Sequence, residues 1–305
     1  MKFPLSKYIW FDGKLVPVNM AKVPVTTHAI HYGTSIFEGI RAYWNSKNLH
    51  VFRLKDHVKR FRNSGKFYNI KLNFSDRQIE NSVIELCKKN KIKKSCYIRP
   101  FYFVGQYGIN FHVTQKAPTH TAIFAFPFGD LFNKSGITAT ISKWRKFSDM
   151  STPTQAKMGG NYLNSILATQ DAKQRGFDEA ILLDQSGNVS EAPGENIFLV
   201  KNNMLVTPSL SSSALDGITR RSIITLAKDM KLKIKIQKVS KKELKMADEI
   251  FLSGTAAEIT PVIKIDKKKI GEGKVGNITK LFMDTYSNIV MNKSENYSHW
   301  LTAVY

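Results

Sequence analysis

The chain has 305 residues, of which 42% are hydrophobic and 11% aromatic. This composition is typical of a globular protein with room for about two domains, and it excludes collagen, coiled-coil rods and disulfide scaffolds. The net charge is +22, but 36 of the 46 basic residues are lysines. They are scattered without interleaved aromatic residues, so we favour a solvated lysine-rich surface over a nucleic-acid-binding one.

The first part of the chain predicts an α+β domain over residues 1–128. Asp12-Gly13 separates two runs of β-formers, which predicts a hairpin with a type I′ turn over 8–18. The other predicted elements are a strand at 49–52, helices over 55–67 and 76–90, and strands at 96–104 and 121–126. Ser75 and Gln78 form a capping box at the start of the second helix.

Residues 129–136, which include two glycines, predict an interdomain loop, and 137–305 predict a larger C-terminal α/β domain. The elements predicted in it are strands at 137–141, 180–183, 196–200, 204–206 and 250–257, and helices over 161–175, 218–229 and 276–292.

Cysteine and signal patterns bear on location. Cys87 and Cys96 have neither zinc-site nor C-x-x-C spacing, and such sparing use of cysteine fits a reducing compartment. Residues 1–7 lack an apolar run, so we expect no secretory signal, and no stretch is long and apolar enough for a membrane span. We therefore expect a cytoplasmic protein. His28 and His31 have no third ligand at convincing spacing, so we expect no metal.

One lysine stands apart from the others. Lys157 is the only charged residue between Met150 and Gln170. A lysine away from water loses its proton more easily, and its amine becomes the nucleophile that a Schiff-base lysine requires. Composition alone favours the alternative that this lysine extends from a loop into solvent.

Two further features predict a phosphate site and a partner for a cationic nitrogen. Gly217 precedes Ile218 and Thr219 at the start of a predicted helix, where free N–H groups attract a dianion. The strand ending in Gly254-Thr255-Ala256 has the composition of an anion-binding turn. Glu191 or Glu195, between two predicted strands, could hold a cationic nitrogen. A lysine, a phosphate cradle and a carboxylate together are what pyridoxal 5′-phosphate requires.

Five segments carry a resemblance to a known family. They are His31-Tyr32-Gly33-Thr34-Ser35-Ile36-Phe37-Glu38-Gly39-Ile40-Arg41, Tyr97-Ile98-Arg99-Pro100, Ala156-Lys157-Met158-Gly159-Gly160-Asn161-Tyr162, Ser190-Glu191 with Gly194-Glu195-Asn196, and Phe251-Leu252-Ser253-Gly254-Thr255-Ala256-Ala257-Glu258. In this order they resemble the branched-chain amino-acid aminotransferases, which are pyridoxal-phosphate enzymes of fold type IV. The resemblance covers roughly residues 8–285 and favours the catalytic interpretation of Lys157.

The resemblance implies a role for each site residue. Lys157 would bind the cofactor covalently and move the reacting proton, Tyr162 would bond the phenolate oxygen, and Glu191 would pair with the ring nitrogen. The phosphate ligands implied are Arg60, Gly217, Ile218, Thr219, Gly254 and Thr255. The substrate-binding residues implied are Tyr97, Thr255 and Ala256 for the α-carboxylate, Tyr32, Phe37 and Phe128 for the side-chain pocket, and Arg99 for the distal carboxylate of glutamate.

The resemblance also implies the architecture and the reaction. We expect an α+β fold of type IV, with a small N-terminal domain, a larger C-terminal domain and the cofactor between them. The reaction expected is reversible transamination of L-leucine, L-isoleucine and L-valine with 2-oxoglutarate. We expect at least a homodimer, because in this family residues near Tyr32 and Phe111 reach into the neighbouring subunit's site.

Two alternatives remain open from the sequence. D-amino-acid aminotransferases and aminodeoxychorismate lyases share the fold and would share Lys157 and Glu191, but not the segments around Phe37 and Tyr97. A basic nucleic-acid-binding protein is the alternative from another class, and its binding would weaken steeply with salt.

Overall fold

The computed structural model describes residues 6–305, and these form two compact units. The first unit holds the described residues up to Gly129 together with Ala156–Gly160 and Asn288–Tyr305. The second unit holds Asp130–Gln155 and Asn161–Ser287. The division at 128 and 136 expected above stays a prediction. Residues 1–5, on which the expectation of no signal partly rests, lie outside the described residues.

The first unit is built around an eight-stranded antiparallel sheet in the order β16-β5-β4-β6-β7-β1-β2, with β3 pairing β6. Its strands are β1 (Tyr8–Phe11), β2 (Lys14–Pro17), β3 (Ser35–Phe37), β4 (Ile40–Trp44), β5 (Leu49–Phe52), β6 (Cys96–Val104), β7 (Thr119–Pro127) and β16 (Leu301–Ala303). Its helices are α1 (His28–Tyr32), α2 (Leu54–Lys66) and α3 (Asp76–Lys89).

The second unit contains a mixed eight-stranded sheet in the order β12-β11-β10-β13-β14-β8-β9, with β15 pairing β14. Its strands are β8 (Ile137–Arg145), β9 (Glu179–Leu183), β10 (Asn196–Lys201), β11 (Met204–Pro208), β12 (Ile234–Gln237), β13 (Glu249–Gly254), β14 (Glu258–Ile265) and β15 (Lys268–Lys269). Its helices are α4 (Tyr162–Gln174), α5 (Ile218–Asp229), α6 (Lys241–Met246) and most of α7 (Asn277–Val290), whose residues from Asn288 onward belong to the first unit.

The β1–β2 hairpin confirms the prediction from Asp12-Gly13. Phe11 pairs with Lys14, so two residues form the turn. Asp12 and Gly13 both have positive φ, 46° and 91°, as a type I′ turn requires. The Ser75–Gln78 capping box at the start of α3 is also present in both of its bonds.

Each unit has its own apolar core. In the first unit, one face of the sheet packs against the apolar faces of α2 and α3. In the second unit, strands β8, β10, β13 and β14 pack with the buried face of α6, while α4 covers β8 and β9. Within residues 6–305, no helix is both long and apolar enough to cross a membrane.

Gly65, near the end of α2, shows why the helix needs a glycine at this position. A Cβ atom there would overlap the Tyr102 hydroxyl and lie 2.6 Å from the Ile70 carbonyl oxygen. Tyr102 is fully buried, and its hydroxyl donates to the Phe61 carbonyl. The close approach of β6 therefore decides the residue, although alanine is the better helix former.

We expect Gly65→Ala to lower the free energy of unfolding by about 1–3 kcal/mol, because the added methyl group overpacks a filled site. Helix propensity alone predicts a gain of about 1 kcal/mol, so the sign of the change distinguishes the two effects. Urea unfolding measures it. Gly129→Ala is the control, since a Cβ there meets no atom within 4 Å. A stabilised Gly65→Ala would contradict the packing argument.

Candidate active site

The main chain at Lys157 is hydrogen-bonded on two sides to other segments of the first unit. The Lys157 amide donates to the Ser64 hydroxyl on α2 at 3.0 Å, and its carbonyl accepts from the Phe37 amide at 3.1 Å. Met158 forms an isolated antiparallel β-bridge with Ile36. The main chain at Lys157 is thus held between a helix and strand β3, which fixes where its side chain starts.

The Lys157 side chain leads into a row of aromatic and cationic side chains. Its Nζ lies 4.8 Å from the centre of the Phe37 ring. The Arg99 guanidinium lies 4.6 Å from the same ring, and donates to the Tyr97 hydroxyl at 3.2 Å. The Tyr97 ring is in turn 5.5 Å from that of Phe128. The structure therefore brings together four of the residues predicted to bind substrate.

Gly39 permits this arrangement. A Cβ atom at Gly39 would overlap the Tyr97 hydroxyl, so a larger residue would displace that group. Burial raises the pKa of Tyr97, so this hydroxyl keeps its proton and can donate a hydrogen bond as well as accept one from Arg99.

A fully buried carboxylate, Glu38, ties α2 to the start of β4. Arg60 binds it through two N–H groups, Nε at 2.6 Å from Oε1 and Nη2 at 2.9 Å from Oε2. His57 Nδ1 lies 2.7 Å from Oε2, and the Gly39 amide donates to the same oxygen. The planar fork of Arg60 is therefore fixed in one orientation.

The charges of this cluster explain its titration. Burial by itself would raise the pKa of Glu38, but the Arg60 and His57 contacts outweigh it and hold the pKa far below its usual value of 4.5. Burial lowers the pKa of His57, and Glu38 opposes this only in part. At neutral pH the cluster is therefore an ionised Glu38–Arg60 pair with a neutral histidine.

Tyr32 lies in a different group of aromatic rings. Its ring is 4.6 Å from that of His28 and 5.1 Å from that of Phe111. His28 Nδ1 lies 2.8 Å from the Thr34 hydroxyl and its Nε2 lies 3.1 Å from the Asn110 carbonyl, so the ring joins α1 to two loops.

In the second unit, Glu191 is a buried carboxylate whose two oxygens have different partners. Oε2 accepts from the Leu215 amide at 2.9 Å and from Asn196 Nδ2 at 3.2 Å. Oε1 lies 2.6 Å from the Lys146 ammonium. Glu195, the other candidate, accepts from the Gly194 amide of its own loop. Glu191 therefore already binds a cation.

The start of α5 has the features of an anion site. Within the described part of the chain, no side chain caps this helix at Gly217, while Ile218 and Thr219 are buried. A Cβ at Gly217 would overlap the Asn196 side-chain oxygen, and Asn196 also bonds Glu191. The helix start is thus linked to the Glu191 carboxylate through the Asn196 side chain.

The turn between β13 and β14 carries Thr255 and Ala256. A Cβ at Gly254 would lie 3.1 Å from the Gly194 carbonyl, which packs this turn against the Glu191–Glu195 loop. Ser190 and Ser253, each next to a predicted site residue, are buried with hydroxyls that have no partner within residues 6–305. Tyr162 is the first residue of α4.

Sequence reasoning missed two functional features. Glu38 lies inside a segment that carried the resemblance, but its burial depends on contacts with α2, which no local pattern reveals. Lys146 is one of 36 lysines and follows β8 directly, so only its contact with Glu191 distinguishes it. The one local signal at Glu38 is an acidic residue between apolar and small residues, and this signal does not identify its partners on α2.

Comparison with known proteins shows which family the chain resembles. Residues 35–265 match the family described as amino-transferase class IV. The chain is 41% identical over 302 residues to a probable branched-chain-amino-acid aminotransferase of Aquifex aeolicus, covering 98% of this chain and 97% of the relative.

Two solved structures are similar along their whole length. The branched-chain aminotransferase of Thermoproteus uzoniensis with norvaline has a TM-score of 0.95 and 41% identity, and the match covers 98% of this chain and 100% of that one. The T.th. branched-chain amino acid aminotransferase complexed with N-(5′-phosphopyridoxyl)-L-glutamate has a TM-score of 0.96 and 39% identity, with both chains covered completely.

We expect Glu38→Gln to lower the free energy of unfolding at pH 7 by about 3–5 kcal/mol, because it leaves the Arg60 charge buried without its counter-ion. The pKa of Glu38 is lowered in the folded state, so its contribution is present above about pH 4.5 and is lost as the pH falls below it. The variant should therefore lose less stability than the unmodified protein between pH 5 and pH 3.

Urea unfolding at pH 7, 5 and 3 measures both effects. Asp248→Asn is the control, because it breaks a half-exposed pair with Lys201 and should cost under about 1 kcal/mol. A Glu38→Gln protein that unfolds at the same urea concentration as its parent at pH 7 would refute the role of the cluster.

Proposed function

The chain belongs to the class IV aminotransferases, and on that premise we propose that it exchanges amino groups between branched-chain amino acids and 2-oxoglutarate with pyridoxal 5′-phosphate. The reaction converts L-leucine, L-isoleucine or L-valine to the 2-oxo acid and gives L-glutamate, reversibly. The observation that carries the proposal is the Lys157 segment, held on both faces and followed by the row Phe37, Arg99 and Tyr97.

The donor set of the second unit fits this cofactor. A pyridinium needs a buried carboxylate, and Glu191 already holds a cation, the Lys146 ammonium, on Oε1. A phosphate needs N–H groups and hydroxyls, which a buried helix start without a side-chain cap offers at Ile218 and Thr219. The Ser253 hydroxyl, unpartnered among the described residues, lies next to the Gly254–Ala256 turn, where a polar ligand would satisfy it.

Each residue then has a distinct task. When bound, pyridoxal phosphate supplies an electron-withdrawing ring that stabilises negative charge at the substrate Cα. The Lys157 amine would hold the cofactor and, once released by the substrate, would remove the proton from the substrate Cα, while Glu191 would hold the ring nitrogen. Tyr162 would orient the phenolate oxygen.

The phosphate would be held by Arg60, Gly217, Ile218, Thr219, Gly254 and Thr255. Because Glu38 binds two N–H groups of Arg60, the Arg60–Glu38 pair is neutral overall. Arg60 would then mainly orient the phosphate through N–H groups held in a fixed position, and its net positive charge would contribute less. The dipole and N–H groups of α5 would supply the remaining attraction.

One pocket must accept both an isobutyl chain and a carboxyethyl chain. Phe37 and Phe128 provide apolar surface, while Tyr97, Thr255 and Ala256 would orient the α-carboxylate. Arg99 is stacked on Phe37. When glutamate is bound, the planar guanidinium would bind its distal carboxylate through two N–H groups. When leucine is bound, the guanidinium would stay against the Phe37 ring. The similar proteins were crystallised with norvaline and with a phosphopyridoxyl-glutamate, one ligand of each kind.

We further propose that two copies associate and that the protein is cytoplasmic. Exposed apolar side chains in the first unit support association, among them Val25, Ile30, Ile109 and Phe111. A groove of about 410 Å³ lined by Phe11, Phe101, Phe103 and Phe124 extends this apolar surface. Tyr32 lies beside Phe111, which would let both serve a neighbouring subunit's pocket. The cytoplasmic location rests on the sparing use of cysteine.

We expect borohydride reduction of the protein with pyridoxal phosphate to attach the cofactor to Lys157, as read by peptide mapping. Lys157→Ala should lose both the label and conversion of L-leucine. Lys143→Ala is the control, since that lysine is exposed, and it should keep both. Labelling of another lysine, or conversion of D-leucine in place of L-leucine, would contradict the assignment.

We expect Arg99→Leu to weaken glutamate and 2-oxoglutarate by about 2 kcal/mol or more, about 30-fold, since a desolvated carboxylate then lacks its partner. L-leucine should still react in a single turnover at near its original rate. Stopped-flow absorbance with each amino acid separately measures this, and Arg99→Lys should give an intermediate loss. An equal fall with leucine and glutamate would show that Arg99 does not read the distal carboxylate.

A further inference from the structure

Lys146 is held in place by its backbone as well as by its side chain. It follows β8, its amide donates to the Leu183 carbonyl at 2.8 Å, and its carbonyl accepts from Gln185 Nε2 at 2.7 Å. Its ammonium lies 2.6 Å from Glu191 Oε1, with the two side chains only 14% and 6% exposed. This is a short, mostly buried ion pair and not a mobile surface contact.

The partners of Glu191 divide by charge. The donors on Oε2, the Leu215 amide and Asn196 Nδ2, are neutral, whereas Oε1 binds a full cation. Arg220, a buried cation whose titration Glu191 also influences, pairs with Asp216 and donates to the Pro208 carbonyl. Lys146 is therefore a cation in direct contact with this carboxylate.

We propose that Lys146 is a positioning residue that serves as the counter-ion of Glu191 when no cofactor ring is present, and that it limits how tightly Glu191 holds the ring nitrogen. The inference rests on the proposed function. A pyridinium bound at Glu191 must share the carboxylate with the lysine ammonium and is repelled by it. The lysine thus stabilises the site before binding and weakens the contact after it.

The proposal predicts that removing the lysine charge affects protein stability and cofactor affinity in opposite directions. Lys146→Met removes a cation and should destabilise the cofactor-free protein, yet it should strengthen the part of the binding that depends on the ring nitrogen. The 1-deaza analogue of pyridoxal phosphate, which has C–H in place of that nitrogen, isolates this part. Both compounds keep the aldehyde, the phenol and the phosphate.

The experiment measures dissociation constants of both compounds from the cofactor-free protein. We expect the ratio of the deaza constant to the pyridoxal phosphate constant to rise about tenfold in Lys146→Met, the size of a hydrogen bond to a charged group. Lys146→Arg, which keeps the charge, should restore the original ratio. In a Glu191→Gln background, Lys146→Met should leave the ratio unchanged.

Lys134→Met is the matched control. Lys134 also lies 2.7 Å from a glutamate of the second unit, Glu258, but that carboxylate has no assigned contact with the ring. Lys134→Met should change the dissociation constants of both compounds by the same factor and leave their ratio unchanged. A purely structural role for Lys146 would give this same pattern.

An unchanged or lowered ratio in Lys146→Met, with the unmodified protein binding pyridoxal phosphate normally, would overturn the inference and leave the proposed function intact. Failure of the unmodified protein to bind pyridoxal phosphate at all would instead overturn the proposed function. Should Lys146→Met fail to fold, Lys146→Gln provides a neutral side chain that can still donate to Oε1, and the same ratio decides the outcome.

Discussion

The buried Glu38 carboxylate makes the contacts on which the candidate site residues of the first unit depend. It joins the start of β4 to α2 through Arg60 and His57. The same helix supplies the Ser64 hydroxyl that holds the Lys157 amide. The next residue, Gly39, leaves room for the Tyr97 hydroxyl. A single buried charge thus joins β4 to the helix that carries Arg60 and holds the Lys157 amide. Such a charge is stable only because its partners satisfy it completely.

Local signals predicted much of the fold. The Asp12-Gly13 turn, the Ser75 capping box and the helix that starts at Ile218 all lie where the sequence places them. Each of these depends on residues close together in the chain, where turn and cap chemistry is readable. The short helix α6 was missed, although Ser240 and Glu243 form a capping box there. Its two leading lysines look like surface charge, and its one fully buried side chain, Leu244, gives no periodicity to detect.

The candidate site was predictable where the family's segments preserve it and unpredictable where distant residues meet. The sequence singles out Lys157 by its uncharged surroundings, and the resemblance implies a role for Glu191. Neither approach indicates that Lys146 contacts Glu191, because the two residues are 45 positions apart in the chain. They meet through tertiary contacts, among them the parallel pairing of β8 with β9 and the bond from the Leu182 amide to the Glu191 carbonyl. Likewise, the Arg60–Glu38 pair brings together a helix and a strand turn. Ion pairs between residues far apart in the chain can be identified only from the folded structure.

The first unit depends on two segments that are translated after its main part, which ends at Gly129. Its sheet includes β16, which pairs β5, and its site includes Ala156–Gly160. Both segments leave the ribosome well after Gly129, and β16 follows the whole second unit. During synthesis the edge of β5 and the binding place of the lysine segment therefore stay open, and β5 can act as an unpaired strand edge until the remainder is made. The lysine segment is made near the middle of the chain, whereas the sheet of the first unit gains β16 only after the whole second unit has been made.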